Sequence, residues 1–546
     1  GLGGFHLACD ARDAAAVDRL RQRKQRDGKP FAVMVANLES ARTIADPGAV
    51  EVAALTGRER PIVLCRRLAQ ADLAPGIAPG LGEVGVMLPY TPLHYLIFHE
   101  AAGRPPGTAW LGQVQALALV MTSANPGGEP LVIGNGEAAA RLSGIADAIV
   151  SHDRDIVTRA DDSVVRAIAG EARLIRRGRG FVPVPVRLPR AVPPVLALGG
   201  YLKNAICATR GGEAFLSQHI GDLDDAATLS FLEETVCHLT GILEIAPVAI
   251  AHDLHPDFPA GRLAERLAAV SQLPLIPVQH HHAHVAAILA EHGVMEPCVG
   301  LALDGYGYGD DGGAWGGELL RVEGVLATRL GHLRPLAQPG GDVAARQPWR
   351  MAASALHTLG RGAEIAGRFA THGPAAGVAR LLTLGLRSPE TSSCGRWFDA
   401  ACGLLGLVPV AGFEGEAPMR LEALVTRPRI APGTWTVQDG VLDLLPLLAR
   451  LDGMDPADGA DLWHGTLIAA IVDWALPAAA ETGRIALSGG CLMNRVLAEG
   501  LVDGFARHGV TALLPRLAPA NDGGLAMGQA WVAALTCMKG EDAPCA

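Results

Sequence analysis

The chain has 546 residues, of which 49% are apolar and only 4% aromatic, and at about 150 residues per domain it has room for three or four folded units. Its 46 basic and 56 acidic residues give a net charge of −10, which argues against a broad basic surface for nucleic acid. The ten cysteines form no C-x-x-C pair, so neither zinc ribbons nor a disulfide framework is expected.

No apolar run of the sequence reaches membrane-spanning length and the start is no signal peptide, so we expect a cytoplasmic protein that does not bind a membrane. Residues 1–10 read as the end of a strand and its glycine turn, with no initiator methionine before them. We therefore expect a fragment that lacks an N-terminal part. Helical and apolar strand patterns then alternate in an α/β arrangement, the helices at 11–24 and 92–101 and the strands at 31–35, 62–65 and 116–122.

Five cations crowd residues 21–29 at the end of the first helix. Alone, such a run is usually a solvated helix face. The strand at 116–122, however, ends in hydroxyl and amide side chains followed by glycines, and cations beside such donors can cradle a nucleotide phosphate. Another Ser precedes a later strand. The candidate nucleotide-binding residues of this region are Lys24, Arg26, Lys29, Thr122, Ser123, Asn125 and Ser163.

A proline-rich stretch at 176–194 marks the first domain boundary, and its five prolines predict a semi-rigid extended linker. The α/β alternation resumes at a strand beginning with Val195 and continues to the end of the chain. It predicts two lobes that divide somewhere in residues 290–340.

Residues 278–286 read V-Q-H-H-H-A-H-V-A and open an apolar helical pattern. In a helix, His280 and His284 project from one face, the spacing that two ligands of one metal ion need. The alternative is a solvated polar stretch before a core helix.

Two acidic residues complete a possible ligand set. Asp304 ends an apolar strand pattern and is followed by glycines, including Gly305, and Asp522 precedes a second glycine pair. A third strand pattern runs into Gly489 and Gly490. Glycine lets a backbone approach phosphate closely, although a flexible hairpin with an acidic tip would have the same sequence. Two His and two Asp suit Fe, Mn or Zn better than calcium.

These motifs resemble known families. K-x-R at Lys24 and Arg26, followed by the S-x-N of Ser123 and Asn125, resembles the YrdC/Sua5 domain. H-x-x-x-H with S-G-G-x-x-x-N and N-D-G-G is similar to the metal-dependent transferase of tRNA threonylcarbamoylation, which has the actin/Hsp70-type ATPase fold. Their fusion, together with the P-G-G-D-x-A-x-x-Q-P-W-R and S-S-C-G-R motifs, resembles the HypF family of carbamoyltransferases in [NiFe]-hydrogenase maturation. The resemblance covers essentially the whole chain.

The resemblance implies a YrdC-like α/β domain over 1–185 and a two-lobed domain of the actin/Hsp70-like ATPase fold over 193–546. The family's N-terminal acylphosphatase and zinc-finger regions are absent from this chain. The first domain would use ATP with Mg to convert carbamoyl phosphate or carbamate into carbamoyl-adenylate. The second would hold one transition metal, Fe or Zn, at His280, His284, Asp304 and Asp522.

The resemblance further implies that the second domain passes the carbamoyl group to the C-terminal cysteine of the partner HypE. It places Lys203 at the first phosphate loop of the ATPase fold, where an exposed turn lysine is the alternative, and it adds Asn494 to the nucleotide site. Asp27 departs from the family's R-P-x-K-P pattern and puts the shape of that loop in doubt.

Other functions remain open at this stage. An antibiotic-type O-carbamoyltransferase would share both sets of residues and differ only in its small-molecule acceptor. A nucleotide-gated, chaperone-like binding module would transfer nothing, but this fold's ATPases need only Mg with oxygen ligands, which disfavours it. Cys491 is an alternative covalent relay, although a small buried apolar side chain is the favoured interpretation.

Overall fold

The computed structural model describes residues 1–541, which form two compact units. The first unit comprises Gly1–Pro185, Tyr201–Ile206 and Phe215–Glu244, and the second comprises the remaining segments from Val186 onward. Two segments from beyond residue 193 therefore pack within the first unit. The division into domains at 185 and 193 stays a prediction.

The first unit is built around one mixed eight-stranded sheet. Its strands run in the order β1-β6-β2-β5-β4-β7-β8, and β3 pairs with β4. The strands are β1 His6–Asp10, β2 Ala32–Val35, β3 Ala45–Asp46, β4 Ile62–Arg67, β5 Glu83–Met87, β6 Ala118–Ser123, β7 Val164–Ile168 and β8 Glu171–Arg176. The helices before residue 185 are α1 Ala14–Lys24, α2 Leu38–Ala41, α3 Ala49–Thr56, α4 Pro92–Ala101 and α5 Asn135–Arg141.

All five elements predicted in this region are confirmed, with ends that shift by up to three residues. Helix α1 begins where the Asp13 side chain accepts hydrogen bonds from the N–H groups of Ala15 and Ala16. It ends because Gln25 adopts a left-handed conformation with φ 49°. This stop places Lys24 at the last turn, with its side chain buried at the edge of the sheet.

The second unit begins with a five-stranded sheet in the order β13-β12-β10-β11-β9. Its strands are β9 Val186–Val192, β10 Val195–Ala197, β11 Cys207–Leu216, β12 Ala249–Asp253 and β13 Leu275–Val278. Helix α6 Ala226–Ile242 belongs to the first unit, and α7 Pro259–Ser271 and α8 His280–His292 belong to the second.

The prediction of a proline linker over 176–194 is wrong for its second half. Val186–Val192 forms the edge strand β9, which pairs with β11 through Ala214 and Gly211. An edge strand tolerates Pro189, because the missing N–H can face away from the neighbouring strand.

The rest of the second unit contains a nine-stranded sheet. Its first strand begins at Cys298, within residues 290–340, where the sequence predicts the division between the two lobes. Its main path is β19-β20-β16-β15-β14-β21-β22. The strands are β14 Cys298–Tyr308, β15 Ala314–Glu323, β16 Leu326–Leu333, β17 Leu336–Ala337, β18 Glu390–Thr391, β19 Thr436–Gln438, β20 Val441–Asp443, β21 Arg484–Ser488 and β22 Thr511–Leu513.

Ten helices follow β14 in the described part of the chain. They are α9 Asp342–Arg346, α10 Pro348–Thr358, α11 Ile365–Arg368, α12 Ala375–Leu384, α13 Cys394–Leu404, α14 Glu416–Ala423, α15 Leu445–Leu451, α16 Pro456–Thr482, α17 Arg495–Ala506 and α18 Leu525–Glu541. The last of them, α18, packs against α8 and the five-stranded sheet.

Two sequence expectations about this unit need correction. The strand predicted to end at Asp304 continues to Tyr308, with an irregular register between Leu303 and Gly307. Helix α16, against expectation, is long and apolar enough to cross a membrane, with a mean hydropathy of 1.2. Within the protein 67% of that window is buried, as in a core helix. None of the nine cysteines among residues 1–541 forms a disulfide.

Candidate metal centre and nucleotide sites

Helix α8 carries the histidine motif into the interior of the second unit. The helix begins at His280, where the Gln279 side chain accepts a hydrogen bond of 2.8 Å from the N–H of His282. The rings of His280 and His284 lie one turn apart with centroids separated by 4.9 Å, and both are at most 2% exposed. The predicted common face is confirmed, and the predicted alternative of a solvated stretch is wrong.

The four predicted ligands come together at this face. Nε2 of His280 lies 3.3 Å from Asp304 Oδ2 and 3.8 Å from Asp522 Oδ1. Nε2 of His284 lies 3.2 and 3.6 Å from the same two oxygens. One ligand atom from each residue lies within 4.8 Å of every other. A tetrahedral ion with bonds of 2.0–2.2 Å separates its ligands by about 3.4 Å, so this arrangement fits a transition metal.

The hydrogen bonds of the two imidazoles leave one nitrogen of each facing the cluster. His280 Nδ1 is bonded to Asp253 Oδ2 at 2.7 Å, and His284 Nδ1 lies 3.4 Å from Ser488 Oγ. The buried Nε2 of His284 has no hydrogen bond. A buried nitrogen without a hydrogen bond is costly unless a ligand occupies its lone pair. The geometry therefore favours Nε2 ligation by both histidines.

The charges of the cluster are strongly coupled. Burial alone would lower the pKa of His280, but the carboxylates of Asp253 and Asp304 hold that pKa well above its ordinary value. Burial alone would raise the pKa of Asp304, but the adjacent imidazoles of His280 and His284 hold that pKa well below its ordinary value. The buried carboxylates thus favour a positive charge at this position.

Glycines and one serine shape the backbone around the cluster. Gly490 N–H donates to Asp304 Oδ1 at 2.9 Å, which fixes that carboxylate. Gly489 has φ 96°, and a Cβ there would collide with the Leu303 backbone, so only glycine fits. Gly305 faces open space. Ser393, from the S-S-C-G-R motif, donates to the carbonyls of Asp304 and Gly305 at 3.0 and 2.7 Å.

Asn494 and Lys203 were predicted to bind nucleotide phosphate, and the structure shows the following contacts for them. Asn494 caps α17, where its Oδ1 accepts from Leu497 N–H and its Nδ2 donates to His464. Lys203 belongs to the first unit, where its N–H donates to Asp222 Oδ1. Nucleotide binding by these two side chains stays a prediction.

In the first unit the K-x-R and S-x-N motifs are in direct contact. We call the residues around this contact the cationic cradle (Lys24, Arg26, Lys29, Ser123 and Asn125). Lys24 Nζ donates to the Ser123 carbonyl at 2.7 Å, to the Asn125 carbonyl at 2.9 Å and to Asn125 Oδ1 at 2.7 Å. Ser123 Oγ donates to the same Oδ1 at 2.9 Å. The K-x-R and S-x-N motifs therefore form one site, as the sequence predicts.

The cations of the cradle lack full compensation by acidic groups. Burial, with a contribution from Arg26, lowers the pKa of Lys24 to about 7. Burial and Arg21 lower the pKa of Arg26 to about 10. Burial and Arg26 also lower the pKa of Lys29. A bound phosphate would reverse these shifts, because an anion favours the charged form of each group.

Two further predicted residues of this region are buried behind the cradle. Thr122 is 8% exposed and lies in β6 opposite Leu7 of β1. Ser163 is fully buried, and its hydroxyl donates to the Arg179 carbonyl and accepts from Gly178 N–H. Contact of Ser163 with a nucleotide therefore stays a prediction without support from its hydrogen bonds.

Asp253 is a residue of this cluster that the sequence motifs do not indicate. This carboxylate is fully buried and is hydrogen-bonded to His280 Nδ1, the ring nitrogen that does not face the cluster. Such a hydrogen bond is typical of metal-binding histidines. Its signal was present in the apolar pattern A-I-A-H-D at 249–253, which ends in an acid as the pattern before Asp304 does. No glycine follows Asp253, so the pattern was not recognised.

Cys491 lies close to the cluster and contacts a second thiol. A hydrogen bond with Cys394, together with burial, raises the pKa of Cys491 well above its ordinary value. The thiolate is the nucleophilic form, so this environment disfavours a covalent relay.

Three protein-family models match the chain. The model described as telomere recombination, the Sua5/YciO/YrdC family, matches residues 1–178. The HypF Kae1-like domain matches 190–291, and the second subdomain of the Kae1-like carbamoyltransferase domain matches 300–529. The predicted fold class, a YrdC-like α/β domain followed by a two-lobed actin/Hsp70-like domain, is confirmed.

Curated relatives of the chain are carbamoyltransferases. The chain is 54% identical to carbamoyltransferase HypF2 of Cupriavidus necator, over 98% of this chain and 71% of the relative. It is 49% identical to carbamoyltransferase HypF of Rhizobium leguminosarum, over 97% and 69% of the two chains. A crystal structure of full-length HypF in a phosphate- and nucleotide-bound form superposes with a TM-score of 0.91 at 35% identity, covering 99% of this chain and 70% of that one.

We propose that His280, His284, Asp304 and Asp522 bind one metal ion, and replacement of His284 by alanine tests it. His284→Ala removes one of two nitrogen ligands, so the purified protein is expected to lose its stoichiometric metal. Elemental analysis by mass spectrometry measures the metal content. His282→Ala is the matched control, because His282 Nε2 faces the Gly324 carbonyl and not the cluster. Retention of one metal per chain by His284→Ala would contradict the assignment.

Asp253→Asn tests how His280 is held. Asparagine keeps an oxygen that can accept from His280 Nδ1 but loses the charge that makes the imidazole a stronger ligand. We expect the metal affinity to fall roughly tenfold to 100-fold, measured by competition with a chelator. Asp461→Asn, at a buried carboxylate that accepts from Thr426 and Arg427, controls for general loss of stability. Equal affinities of Asp253→Asn and the unaltered protein would refute a supporting role.

Proposed function

Because the chain belongs to the HypF family of carbamoyltransferases, we propose that it activates a carbamoyl group with ATP and transfers it to the C-terminal cysteine of HypE. The resulting thiocarboxamide would supply the cyanide ligands of [NiFe]-hydrogenase. The enzyme class follows from the family, which excludes a binding module without transfer activity. The intermediate, the acceptor and the site residues form the proposal.

The first step would take place at the cationic cradle. Carbamate, released from carbamoyl phosphate, attacks the α-phosphorus of ATP, and pyrophosphate leaves to give carbamoyl-adenylate. Lys24, Arg26 and Lys29 supply positive charge to the phosphates, and Ser123 supplies a hydroxyl. The lowered pKa of Lys24, about 7, supports this role, because binding of a phosphate would stabilise its protonated form.

The second step would take place at the candidate metal centre. The cysteine thiolate attacks the carbamoyl carbon, the carbon–oxygen bond to AMP breaks, and the thiol proton passes to solvent or a base. A metal bound by the four ligands would act as a Lewis acid on a carbonyl or phosphate oxygen. A Cβ on Gly305 would meet no atom within 4 Å, so there is open space beside the Asp304 backbone.

The convergence of His280, His284, Asp304 and Asp522 carries the proposal. Their ligand atoms lie within 4.8 Å of one another, although the residues are spread over 243 positions of the sequence (522 − 280 + 1). A small-molecule O-carbamoyltransferase would use the same ligands, so only the acceptor separates the two functions. Comparing carbamoylation of HypE with carbamoylation of a panel of hydroxylated small molecules decides between them.

The two steps are expected to separate by mutation. Lys24→Ala removes a charged donor worth on the order of 1.5–3 kcal/mol to phosphate binding, roughly a tenfold to 150-fold loss of affinity. Carbamate-dependent exchange of pyrophosphate into ATP should therefore fall sharply. His280→Ala should retain this exchange and lose carbamoyl transfer.

Arg23→Ala is the matched control for Lys24→Ala. Arg23 lies on the same helix, but its guanidinium pairs with Asp147 at 2.7 Å and points away from the cradle. The exchange rate of this variant should match that of the unaltered protein. Full exchange by Lys24→Ala together with lost exchange by His280→Ala would show that the two roles are reversed.

The acceptor is expected to be the partner's cysteine and not Cys491. Incubation with ATP, carbamoyl phosphate and HypE should place one carbamoyl group on the C-terminal cysteine of HypE, located by peptide mass spectrometry. Cys491→Ala should keep transfer, because the pKa of this thiol is raised well above its ordinary value. A carbamoyl adduct on Cys491, with transfer lost in Cys491→Ala, would establish a relay instead.

A further inference from the structure

Helix α13 begins beside the candidate metal centre, at the S-S-C-G-R motif. The Ser393 hydroxyl donates to the carbonyls of Asp304 and Gly305 at 3.0 and 2.7 Å and accepts from Arg396 N–H at 3.2 Å. A Cβ on Gly395 would lie only 3.2 Å from Gly305 Cα, so the first turn of the helix packs closely against the backbone at Asp304. One serine therefore connects Arg396 to a proposed metal ligand.

A buried carboxylate holds the guanidinium of Arg396 by one nitrogen. Nε of Arg396 donates to Asp399 Oδ2 at 2.6 Å, and Asp399 is only 3% exposed. The two residues are three positions apart on α13, and helical side chains lean toward the N-terminus of their helix. The pair therefore lies over the first turn of α13, on the part of the helix that contacts Asp304 and Gly305.

The other two nitrogens of this guanidinium are not used by the protein. Within residues 1–541, neither Nη1 nor Nη2 of Arg396 forms a hydrogen bond or an ion pair. Both remain open to solvent, and the side chain as a whole is 15% exposed. Such a pair of nitrogens matches two oxygens of one phosphate or carboxylate. Arg396 thus presents an open anion-binding group beside the candidate metal centre.

A phosphate fits this position better than a carboxylate. A phosphate monoester carries a charge of about −1.5 to −2 at pH 7, whereas a carboxylate carries a single charge. Helix α13 is 11 residues long, and the positive end of its dipole lies at the same first turn and adds to the attraction of a multiply charged anion.

We infer that Arg396 binds the phosphate of carbamoyl-adenylate and stabilises the AMP that leaves when the carbamoyl group is transferred. The inference rests on the proposed function. In the mixed anhydride one oxygen joins the carbamoyl carbon to phosphorus, so a carbamoyl group at the metal centre has its phosphate in the neighbouring position. The thiolate sulfur forms a bond to carbon, the carbon–oxygen bond breaks, and its electron pair stays on the phosphate oxygen of AMP. A fixed guanidinium stabilises that charge as it develops.

Transfer kinetics test this directly. Arg396→Gln alone leaves the buried Asp399 without a positive partner, so it is paired with the double variant Arg396→Gln/Asp399→Asn, in which two neutral groups can still form a hydrogen bond. Both proteins should keep the pyrophosphate exchange and the metal content of the unaltered protein. Their kcat for carbamoylation of HypE should fall about 100-fold to 1000-fold, with the KM for HypE unchanged.

Two further variants separate a role in phosphate binding from a role in stability. Arg396→Lys keeps the charge but not the paired nitrogens, so it should recover part of the lost kcat. Arg420→Gln is the matched control, because Arg420 also pairs with a buried carboxylate, Glu416, at 2.9 Å on a helix of the same unit. This variant should transfer the carbamoyl group at the full rate.

Binding of AMP gives a readout that does not depend on turnover. In a Lys24→Ala background, which weakens the nucleotide site of the first unit, equilibrium dialysis compares labelled AMP with labelled adenosine. The double variant should bind AMP roughly tenfold to 150-fold more weakly, the loss expected for one charged donor to a phosphate. Its affinity for adenosine should not change, because adenosine lacks the phosphate.

Three results would overturn the inference. The first is a full kcat in the double variant. The second is a loss of metal together with kcat, which would show that Arg396 acts through the metal ligands. The third is a raised KM for HypE at unchanged kcat, which would assign Arg396 to the C-terminal carboxylate of the acceptor. If the unaltered protein does not carbamoylate HypE, the proposed function fails, and the comparison of AMP with adenosine still decides what Arg396 binds.

Discussion

The second unit depends on one constraint, the burial of His280 between two carboxylates. Neither Asp253 nor Asp304 can be buried as an anion without a positive partner, and the imidazole supplies one side of each contact. Because Asp253 lies on β12, His280 on α8 and Asp304 on β14, this set of contacts connects the five-stranded and the nine-stranded sheets. A metal bound at His280 Nε2 would replace the proton there. Both the burial of the two carboxylates and the proposed chemistry therefore need a positive charge at this position.

An irregular stretch of backbone in β14 helps to form the candidate metal centre. A regular strand would alternate its side chains, but the shifted register between Leu303 and Gly307 breaks that alternation just where Asp304 faces the histidines. In this irregular stretch the Ser393 hydroxyl donates a hydrogen bond to the Asp304 carbonyl. Because Gly489 has no Cβ, the chain after β21 can pass directly against the Leu303 backbone. Gly489 therefore serves close backbone approach, whereas Gly305, which follows Asp304, faces open space.

The sequence predicts the parts of the site that are local and misses those that are not. The i, i+4 spacing of His280 and His284 settles their common face once a helix forms, and the glycines after Asp304 and Asp522 single out these two acids, although β14 continues past Asp304 to Tyr308. Asp253 is separated from His280 by 26 residues and has no such mark, so only the fold reveals the contact. The proline-rich edge strand β9 also escapes prediction, because pairing with β11 overrides the local preference of proline.

The two candidate sites have opposite electrostatic character, and this difference suits a two-step transfer. The cationic cradle concentrates Lys24, Arg26 and Lys29 with little acidic compensation, so it favours an anionic nucleotide. The second unit instead gathers buried carboxylates that favour a cation. The groups proposed to perform the chemistry are therefore fixed by the core, where a substitution costs more stability than it does on the surface.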